Sequence, residues 1–246
     1  MGTPLLDVGW LVQALSDVPD DESWLGPYER SVLVNLRFAK RRDDWRLGRW
    51  TAKRAIQASN PINESLDLSA IEIRAASDGA PEAYLNSRPA PLSISVSHSR
   101  GLGFCVIGPE DNPLGCDLEF IEPGTLDFID DYITADERDS LKNLDPRPRA
   151  VFATVLWSAK ESVLKVLREG LRRDTRDVLV RYDRGSVAEG WNLWTASCAG
   201  CVHGFAGWWR QGNGFIQSVL ATRQIDPPHE IAISSQKTIR KLRADC

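Results

Sequence analysis

The chain has 246 residues, of which 42% are hydrophobic and 26% are charged, and its formal net charge at pH 7 is −4. These proportions are typical of a globular protein and exclude the fibrous and disordered classes. A chain without a general excess of basic residues does not wrap a nucleic acid, so any anion site must be local. No apolar run approaches the roughly 20 residues that span a bilayer, and the N-terminus lacks the basic region of a signal peptide, so we expect a cytoplasmic protein with no membrane partner.

The five cysteines are too few for a disulfide scaffold in a chain of this length, and their odd number leaves at least one thiol free. Reduced thiols agree with a cytoplasmic location. Cys198 and Cys201 have the spacing of a redox pair or of half a zinc site, but no second cysteine pair accompanies them. We therefore interpret them as strand or core residues.

Hydrophobic periodicity and turn residues predict the elements of secondary structure. In chain order they are a helix at 43–58 that ends near Asn60-Pro61, strands at 68–75, 92–97, 103–107 and 114–120, helices at 134–143 and 149–169, the latter closed by Gly170, and strands at 177–182, 191–197, 201–209 and 215–222.

A helix followed by strands occurs twice in this order, although the two halves show no obvious sequence repeat. The order predicts an α+β fold of two similar halves related by a pseudo-twofold axis. We expect an N-terminal half at 1–120, a C-terminal half at 121–225 and a polar, peripheral tail at 226–246.

Charge is segregated along the chain. Residues 36–54 hold eight basic residues and two acidic ones, whereas residues 109–145 hold twelve acidic residues and two basic ones. The first block is a candidate phosphate-binding face and the second a candidate metal site, although solvated helix faces are the commoner explanation of such blocks.

The most specific local motif is Gly115-Cys116-Asp117-Leu118-Glu119. Residues i and i+2 of a strand face the same side, so the two carboxylates lie next to each other and require a cation or a solvated surface. Mg²⁺, which takes one or two carboxylates and completes its shell with phosphate oxygens and water, is the favoured ion. A solvated strand face is the alternative.

The second motif lies on the predicted helix 149–169, where Trp157, Glu161 and Lys165 follow one another at intervals of four residues and share a face. A surface ion pair between Glu161 and Lys165 is the simpler interpretation. However, Trp157 on the same stripe indicates partial burial, and a partly buried carboxylate and ammonium favour a bound ion or phosphate.

The third motif, Ser95-Val96-Ser97-His98-Ser99, ends a predicted strand with groups that donate hydrogen bonds to phosphate oxygens. An ordinary turn histidine is the alternative. A Ser-His-Asp hydrolase is a poor interpretation, because no Gly-x-Ser-x-Gly elbow is present.

These motifs, together with Gly79-x-Pro81, occur in an order that resembles the phosphopantetheinyl transferases, specifically the longer, pseudo-dimeric type that activates peptide and polyketide synthases. The resemblance extends from about residue 29 to residue 222. It implies two α+β halves in one monomeric chain with the active site at their interface. It also implies Mg²⁺-dependent transfer of the phosphopantetheine arm of coenzyme A to a serine of an apo acyl or peptidyl carrier protein, with release of adenosine 3′,5′-bisphosphate.

The same resemblance assigns the catalytic and metal-binding residues. Asp117, Glu119 and Glu161 are expected to hold Mg²⁺ against the pyrophosphate, with Asp117, Glu161 and Lys165 as the catalytic residues. Glu161 is also the candidate base for the acceptor serine. Lys165 would contact the phosphates, and Lys160, which lies off the stripe, is expected to bind the cofactor, to support the site or to touch the acceptor.

For coenzyme A, the resemblance implies that Ser97 and His98 bind phosphates and that Gly79, Ala80 and Pro81 lie beside the adenine. Ala80 departs from the lysine that many members carry, so another cation is expected to compensate. The candidates for the 3′-phosphate are Arg30 and Arg42, or alternatively Lys40, Arg46 and Arg49. Glu137 matches an acidic position of undefined role.

Two other functions remain open at this point. One is a module that binds coenzyme A or a nucleotide without transfer activity. The other is an unrelated Mg²⁺-dependent phosphoryl-transfer enzyme, which would hydrolyse a nucleotide without any carrier protein.

Overall fold

The structure is a computed structural model that describes residues 7–59, 64–122, 124, 129–182 and 190–233. Over these residues the fold is α+β, as the sequence predicts. The four α-helices of the described residues are α1 (Pro27–Leu33), α2 (Ala39–Ser59), α3 (Ala135–Leu141) and α4 (Pro146–Val166).

The strands form three sheets. Their bounds are β1 (Gly9–Ala14), β2 (Ile71–Ala75), β3 (Pro81–Leu85), β4 (Arg88–Pro89), β5 (Leu92–Ser99), β6 (Leu102–Pro109), β7 (Leu114–Phe120), β8 (Val178–Tyr182), β9 (Asn192–Cys198), β10 (Phe205–Gly212), β11 (Phe215–Ala221) and β12 (His229–Glu230). The first sheet has the order β12-β1-β6-β5, the second β7-β11-β10-β9-β8, and the third β2-β3-β4. All of the predicted strands are present, but the sequence did not predict β1, β3, β4 and β12.

Each long helix buries its apolar side against the sheets. Leu47, Ala52 and Ile56 of α2 are fully buried, and the last two pack with residues of the first and third sheets. Helix α4 is buried almost continuously from residue 150 to residue 164, against the second sheet. A third apolar cluster joins the inner faces of the first two sheets, so the chain has a continuous core between its halves.

The two large helices differ from their predicted bounds. Helix α2 begins at Ala39, before the predicted start, and its expected end at Asn60-Pro61 lies outside the described residues. Helix α4 ends at Val166, and the predicted closure by Gly170 is wrong. Arg168 takes the left-handed conformation, with φ of 57°, so the chain leaves the helix before it reaches the glycine.

The C-terminal segment is not peripheral where it is described. Strand β12 pairs in parallel with β1, and the Ile231 amide donates to the carbonyl of Trp10 at 2.8 Å. Ile225 and Ile231 are both buried. Residues 226–233, which follow the second half, therefore return to the first sheet and add an edge strand to it. The rest of the predicted tail lies outside the described residues.

Three strand pairings of the first half have counterparts in the second, but β10 also pairs with β9, whereas β5 and β3 belong to different sheets. In the first half β1 pairs with β6, β6 with β5 and β2 with β3, and in the second β7 pairs with β11, β11 with β10 and β8 with β9, all antiparallel. The division into halves at residue 120 stays a prediction. Strand β7 lies before that boundary but belongs to the second sheet, which favours a seam near residue 113.

Two further properties concern the whole described chain. None of its helices combines the length and the apolar character that a membrane crossing requires. Its four described cysteines are free thiols, and Cys198 at the end of β9 is buried, in agreement with the interpretation as a strand residue.

Candidate active site

Strand β7 carries the first motif on two faces. Cys116 and Leu118 point into the apolar cluster between the two sheets, so Asp117 and Glu119 point to the opposite side, toward α4. Gly115 makes this approach possible, because a Cβ atom there would collide with the carbonyl oxygen of Ser162 on α4. The glycine therefore lets the carboxylate strand lie directly against the helix.

The second motif meets the first at this contact. The Trp157 indole nitrogen donates to Glu119 Oε1 at 3.2 Å, and Lys165 Nζ lies 3.0 Å from Asp117 Oδ1. Lys165 Nζ also donates to the Cys116 carbonyl at 2.7 Å. Glu161 occupies the helical turn between Trp157 and Lys165. Residues separated by about forty positions in the chain thus form one cluster of three carboxylates and one ammonium group.

Strand β5 closes the cluster on a third side. Ser97 Oγ donates to Asp117 Oδ1 at 2.8 Å, and Ser95 Oγ accepts from the Cys116 amide at 3.0 Å. Because these alternate residues of β5 face β7, the serine-rich motif holds the carboxylate strand in place.

The carboxylates are poorly compensated. Burial, followed by the neighbouring Asp117 carboxylate, raises the pKa of Glu119 to about 7. Burial also raises the pKa of Glu161, although Lys165 opposes it. Burial is the largest single influence on Lys165 and lowers its pKa, but Asp117, Cys116 and Glu161 together outweigh it, so the pKa lies above its usual value. The negative charge of the cluster is therefore not balanced by Lys165 alone, and a further cation would stabilise it.

Two oxygen atoms of the cluster show where such a charge would bind. Asp117 Oδ2 and Glu161 Oε1 are buried and have no hydrogen-bond partner. Buried carboxylate oxygens normally have one, so both point to a missing ligand. Among the described residues no three His, Cys, Asp or Glu side chains converge as a complete metal site. A cation that takes only one or two carboxylates and completes its shell with water and phosphate, as Mg²⁺ does, fits this donor set.

A cavity of about 530 Å³ lies beside the cluster and carries the basic charge. Arg49 stands over the Trp45 ring at 4.5 Å, and its Nε atom is buried without a hydrogen-bond partner. The other residues that line it include Phe38, Lys40, Arg41, Asp44, Gly79, Pro81 and His98. Burial lowers the pKa of His98, partly offset by Asp44. Lys40 pairs with Asp44 at 2.7 Å, so Arg41 and Arg49 leave an excess of positive charge in this cavity, which makes it a candidate anion site.

A second cavity, of about 630 Å³, lies between the turn at 78–82 and the end of α4, and Lys165 lines it. Gly79 has φ of 91°, and Asp78 Oδ1 accepts from the Ala80 amide at 3.0 Å. Arg168 spans the cavity, since its guanidinium lies 2.9 Å from Glu82 Oε1 and 3.4 Å from Asp78 Oδ2. Through these two ion pairs Arg168, which follows the end of α4, connects the turn at 78–82 to the helix that carries Glu161.

Two residues predicted to bind the 3′-phosphate lie elsewhere. Arg30 and Arg42 are exposed and line neither of these cavities, and Arg30 donates to the Leu25 carbonyl. The reason is that α1 and the outer face of α2 turn these side chains away. Of the alternatives, Arg46 donates to backbone carbonyls near Asp20, whereas Lys40 and Arg49 do line the anion cavity.

The assignment of Lys160 to cofactor binding is also corrected. Its ammonium group is fully buried, 2.9 Å from Glu137 Oε2, and it donates to the Thr175 carbonyl at 2.9 Å and to that of Val178. Glu137 in turn accepts from the Val180 amide at 2.8 Å. Lys160 and Glu137 thus tie α4 to α3 and β8, which gives both residues a structural role.

The first half contains the same arrangement. Lys53 of α2 is fully buried, pairs with Glu29 of α1, and donates to the Trp24 carbonyl at 2.8 Å. Glu29 accepts from the Ile73 amide of β2 at 2.9 Å, as Glu137 does from β8. Our sequence reasoning missed this repeat. The signal was present, because Trp50-Thr51-Ala52-Lys53 and Trp157-Ser158-Ala159-Lys160 differ only in Thr and Ser.

In comparisons with known proteins, the segment of the chain that contains the carboxylate cluster matches a protein family. Residues 113–195 match the family model of the 4′-phosphopantetheinyl transferase superfamily. A 4′-phosphopantetheinyl transferase of Bacillus subtilis is 29% identical over 106 residues, which cover 43% of this chain and 46% of the relative. The chain therefore matches less than half the length of that curated relative.

Among solved structures, a holo-(acyl-carrier-protein) synthase from Bacillus anthracis in complex with CoA (3′,5′-ADP) shows a likeness at 21% identity and a TM-score of 0.37. This likeness covers 43% of the present chain and 97% of that one. The segment matched by the family model includes Asp117, Glu119, Glu161 and Lys165. This match confirms, over residues 113–195, the resemblance to phosphopantetheinyl transferases that the sequence motifs show.

Proposed function

We propose that the protein moves the phosphopantetheine arm of coenzyme A onto a serine of an apo acyl or peptidyl carrier protein and releases adenosine 3′,5′-bisphosphate. The observation that carries this proposal is the cluster at the contact of β7 and α4. There Asp117 Oδ2 and Glu161 Oε1 are buried without a hydrogen-bond partner, and the pKa of Glu119 is raised. Lys165 and a cavity lined by basic residues lie next to these carboxylates.

We assign the metal to Mg²⁺, which Asp117 and Glu161 would hold through their unpartnered oxygens, with Glu119 beside them as the third predicted ligand. Hard oxygen ligands and the uncompensated negative charge support this choice. When bound, the ion would neutralise charge on the pyrophosphate at the phosphorus under attack.

The nucleotide end of coenzyme A is assigned to the basic cavity. Lys40, Arg41 and Arg49 would bind its phosphates, with His98 as an additional donor. Since Ala80 lacks a side-chain charge, Arg49 is the residue that compensates for it, because its Nε atom is buried and without a partner. The turn at 79–81 would present its backbone to the base.

The remaining roles follow from position. Lys165 lies between the cluster and the cavity of about 630 Å³, where it would stabilise the leaving phosphate. Burial raises the pKa of Glu161, which makes its carboxylate a stronger proton acceptor for the serine hydroxyl of the carrier. Ser97 and Trp157 orient Asp117 and Glu119 through their hydrogen bonds.

We also propose that the protein belongs to the longer, pseudo-dimeric type of phosphopantetheinyl transferase and is a monomer. Strand β7 and helix α4 of the second half and strand β5 of the first half all contribute to the cluster within one chain. A single chain therefore supplies both sides of the site without a partner subunit.

The test is intact-protein mass spectrometry of several apo carrier proteins after incubation with the protein, coenzyme A and Mg²⁺, with and without a chelator. We expect a chelator-sensitive gain of about 340 Da, the mass of one phosphopantetheine arm, on at least one carrier. Measurable binding of coenzyme A without a mass gain on any carrier would instead support a binding module. Nucleotide hydrolysis without a carrier would support an unrelated phosphoryl-transfer enzyme.

A further inference from the structure

The end of α4 carries an arginine at the position where helices favour glycine. The Glu169 amide donates to the Leu164 carbonyl at 3.1 Å. The Arg168 amide donates to the Lys165 carbonyl, also at 3.1 Å. These two bonds form a Schellman motif, in which the residue at the place of Arg168 takes the left-handed conformation. Arg168 does so, with φ of 57°, although glycine would adopt this conformation without a steric cost.

The side chain of Arg168 makes contacts that a glycine could not make. Its guanidinium crosses the cavity of about 630 Å³ to the first half, where it lies 2.9 Å from Glu82 Oε1 and 3.4 Å from Asp78 Oδ2. Asp78 lies in the turn between β2 and β3, and Glu82 lies on β3. A strained backbone conformation that is retained at one residue points to a function for that residue. The two ion pairs are therefore what the arginine contributes at the end of α4.

The turn that Arg168 contacts separates the two cavities of the site. Gly79 and Pro81 line both cavities, so the turn at 78–82 forms the wall between them. Asp78 Oδ1 accepts from the Ala80 amide at 3.0 Å, while Asp78 Oδ2 faces Arg168. One carboxylate thus contacts the backbone of the turn and the second half of the chain. Through this carboxylate, Arg168 holds a wall of the basic cavity.

The exposure of the two ion pairs indicates what they can do. The side chain of Arg168 is 46% exposed, and those of Glu82 and Asp78 are 40% and 28% exposed. Pairs with this exposure contribute little to the stability of a whole fold. A turn between two strands opens at a lower free energy than the whole fold, so a weak contact has more effect there. Arg168 is therefore suited to holding the turn rather than to stabilising the protein.

We propose that Arg168 is a positioning residue, which holds the turn at 78–82 against the end of α4 so that the nucleotide site is formed before coenzyme A binds. A wall that is already in place spares the ligand the entropic cost of ordering it. Arg168 does not touch the nucleotide but acts through Asp78 and Glu82. This inference rests on the proposed function and adds a residue to which none of the sequence motifs points.

The test compares Arg168→Gln with the matched control Arg138→Gln in the full chain. Arg138 on α3 is 43% exposed, pairs with Asp130 and lines neither of the two cavities. Calorimetry measures the Kd for coenzyme A, and mass spectrometry measures amide hydrogen exchange of residues 76–84 without ligand. We expect Arg168→Gln to raise the Kd about fivefold and to speed the exchange about threefold or more. Arg138→Gln should stay within about twofold of the wild type in both.

Two further variants separate positioning from stability. Arg168→Gly removes the side chain and the steric cost of the left-handed conformation, so the midpoint of urea unfolding should stay equal or rise. Its Kd for coenzyme A should nevertheless rise as in Arg168→Gln. Glu82→Gln should also raise the Kd, but it should add little to the effect of Arg168→Gln, because the pair is already broken.

The outcomes distinguish this inference from the proposed function. A lower unfolding midpoint for Arg168→Gly with an unchanged Kd would show a purely structural role and overturn the inference. Equal Kd values and exchange rates for Arg168→Gln and the wild type would overturn it as well. If the wild-type protein binds no coenzyme A, the proposed function fails, and the exchange rates alone decide whether Arg168 holds the turn.

Discussion

The buried pair of Lys160 and Glu137 provides the sharpest stability prediction. Replacing Lys160 by methionine keeps the volume of the side chain but removes the only cation that the structure places within hydrogen-bond distance of Glu137 among the described residues. The carboxylate would keep the amides of Thr134 and Val180, both at 2.8 Å, yet its charge would be uncompensated. Two carbonyl groups would also lose their donor.

Breaking a buried pair from one side costs about 3–5 kcal/mol, because an unpaired charge stays in the interior. We therefore expect Lys160→Met to lower the free energy of unfolding by about that amount. The double variant Lys160→Met with Glu137→Gln removes the stranded charge. It should be more stable than the sum of the two single effects predicts, by on the order of 1–3 kcal/mol.

Urea denaturation followed by circular dichroism measures these free energies. Lys53→Met in the first half is the matched comparison, because Lys53 pairs with Glu29 and backbone carbonyls in the same way. It should destabilise the protein by a similar amount. A loss below about 1 kcal/mol for Lys160→Met, or strictly additive effects in the double variant, would refute the reasoning.

The other predictions concern the site. Glu161→Gln should abolish transfer without lowering the free energy of unfolding of the metal-free protein, since burial already raises the pKa of Glu161; near-normal turnover by mass spectrometry would contradict its role. Lys165→Ala should lower kcat more than affinity for coenzyme A, and an effect on affinity alone would argue against leaving-group stabilisation. Because the folded-state pKa of Glu119 is about 7, above its usual 4.5, the metal-free protein should lose stability as the pH rises from about 4.5 to 7, and Glu119→Gln should flatten this slope in urea titrations with chelator. Arg49→Ala should weaken coenzyme A binding about tenfold in calorimetry, whereas Arg42→Ala, outside the cavity, should change it less than twofold.

The carboxylate cluster could be predicted from the sequence because its spacing follows directly from secondary-structure geometry, whereas its catalytic role stays a prediction. Asp117 and Glu119 share a strand face at i and i+2, and Trp157, Glu161 and Lys165 share a helix face at intervals of four. The structure adds the contact between the strand and the helix, which depends on Gly115. The sequence shows that residue 115 is a glycine, but it does not show that Ser162 of α4 occupies the space that a Cβ atom would need.

The basic residues were predicted less well, for a physical reason. On α2 the arginines and lysines are so dense that periodicity does not distinguish the side that faces the cavity from the side that faces solvent. Arg42 lies outside the cavity and Lys40, Arg41 and Arg49 line it, a difference set by how α2 packs on β5 and β6. Short strands such as β4 and β12 escaped prediction because two residues carry no periodic signal.

The repeated Trp-Ser/Thr-Ala-Lys sequence allows the two halves of the described chain to be compared, and only the second carries the carboxylate cluster. In both halves a buried lysine is held by a glutamate that caps the preceding helix and also accepts from the following strand. The framework is therefore shared, and this supports our proposal of two similar halves. The difference lies on the cleft side of each helix. Glu161 and Lys165 in α4 correspond to Arg54 and Ala58 in α2, which bring neither a carboxylate nor an ammonium group to that position. Strand β1 likewise has no carboxylate where β7 carries two. The first half thus keeps the residues that fix the helix and lacks counterparts of those that we propose to hold a metal ion, so our proposal places the chemistry at the contact between β7 and α4.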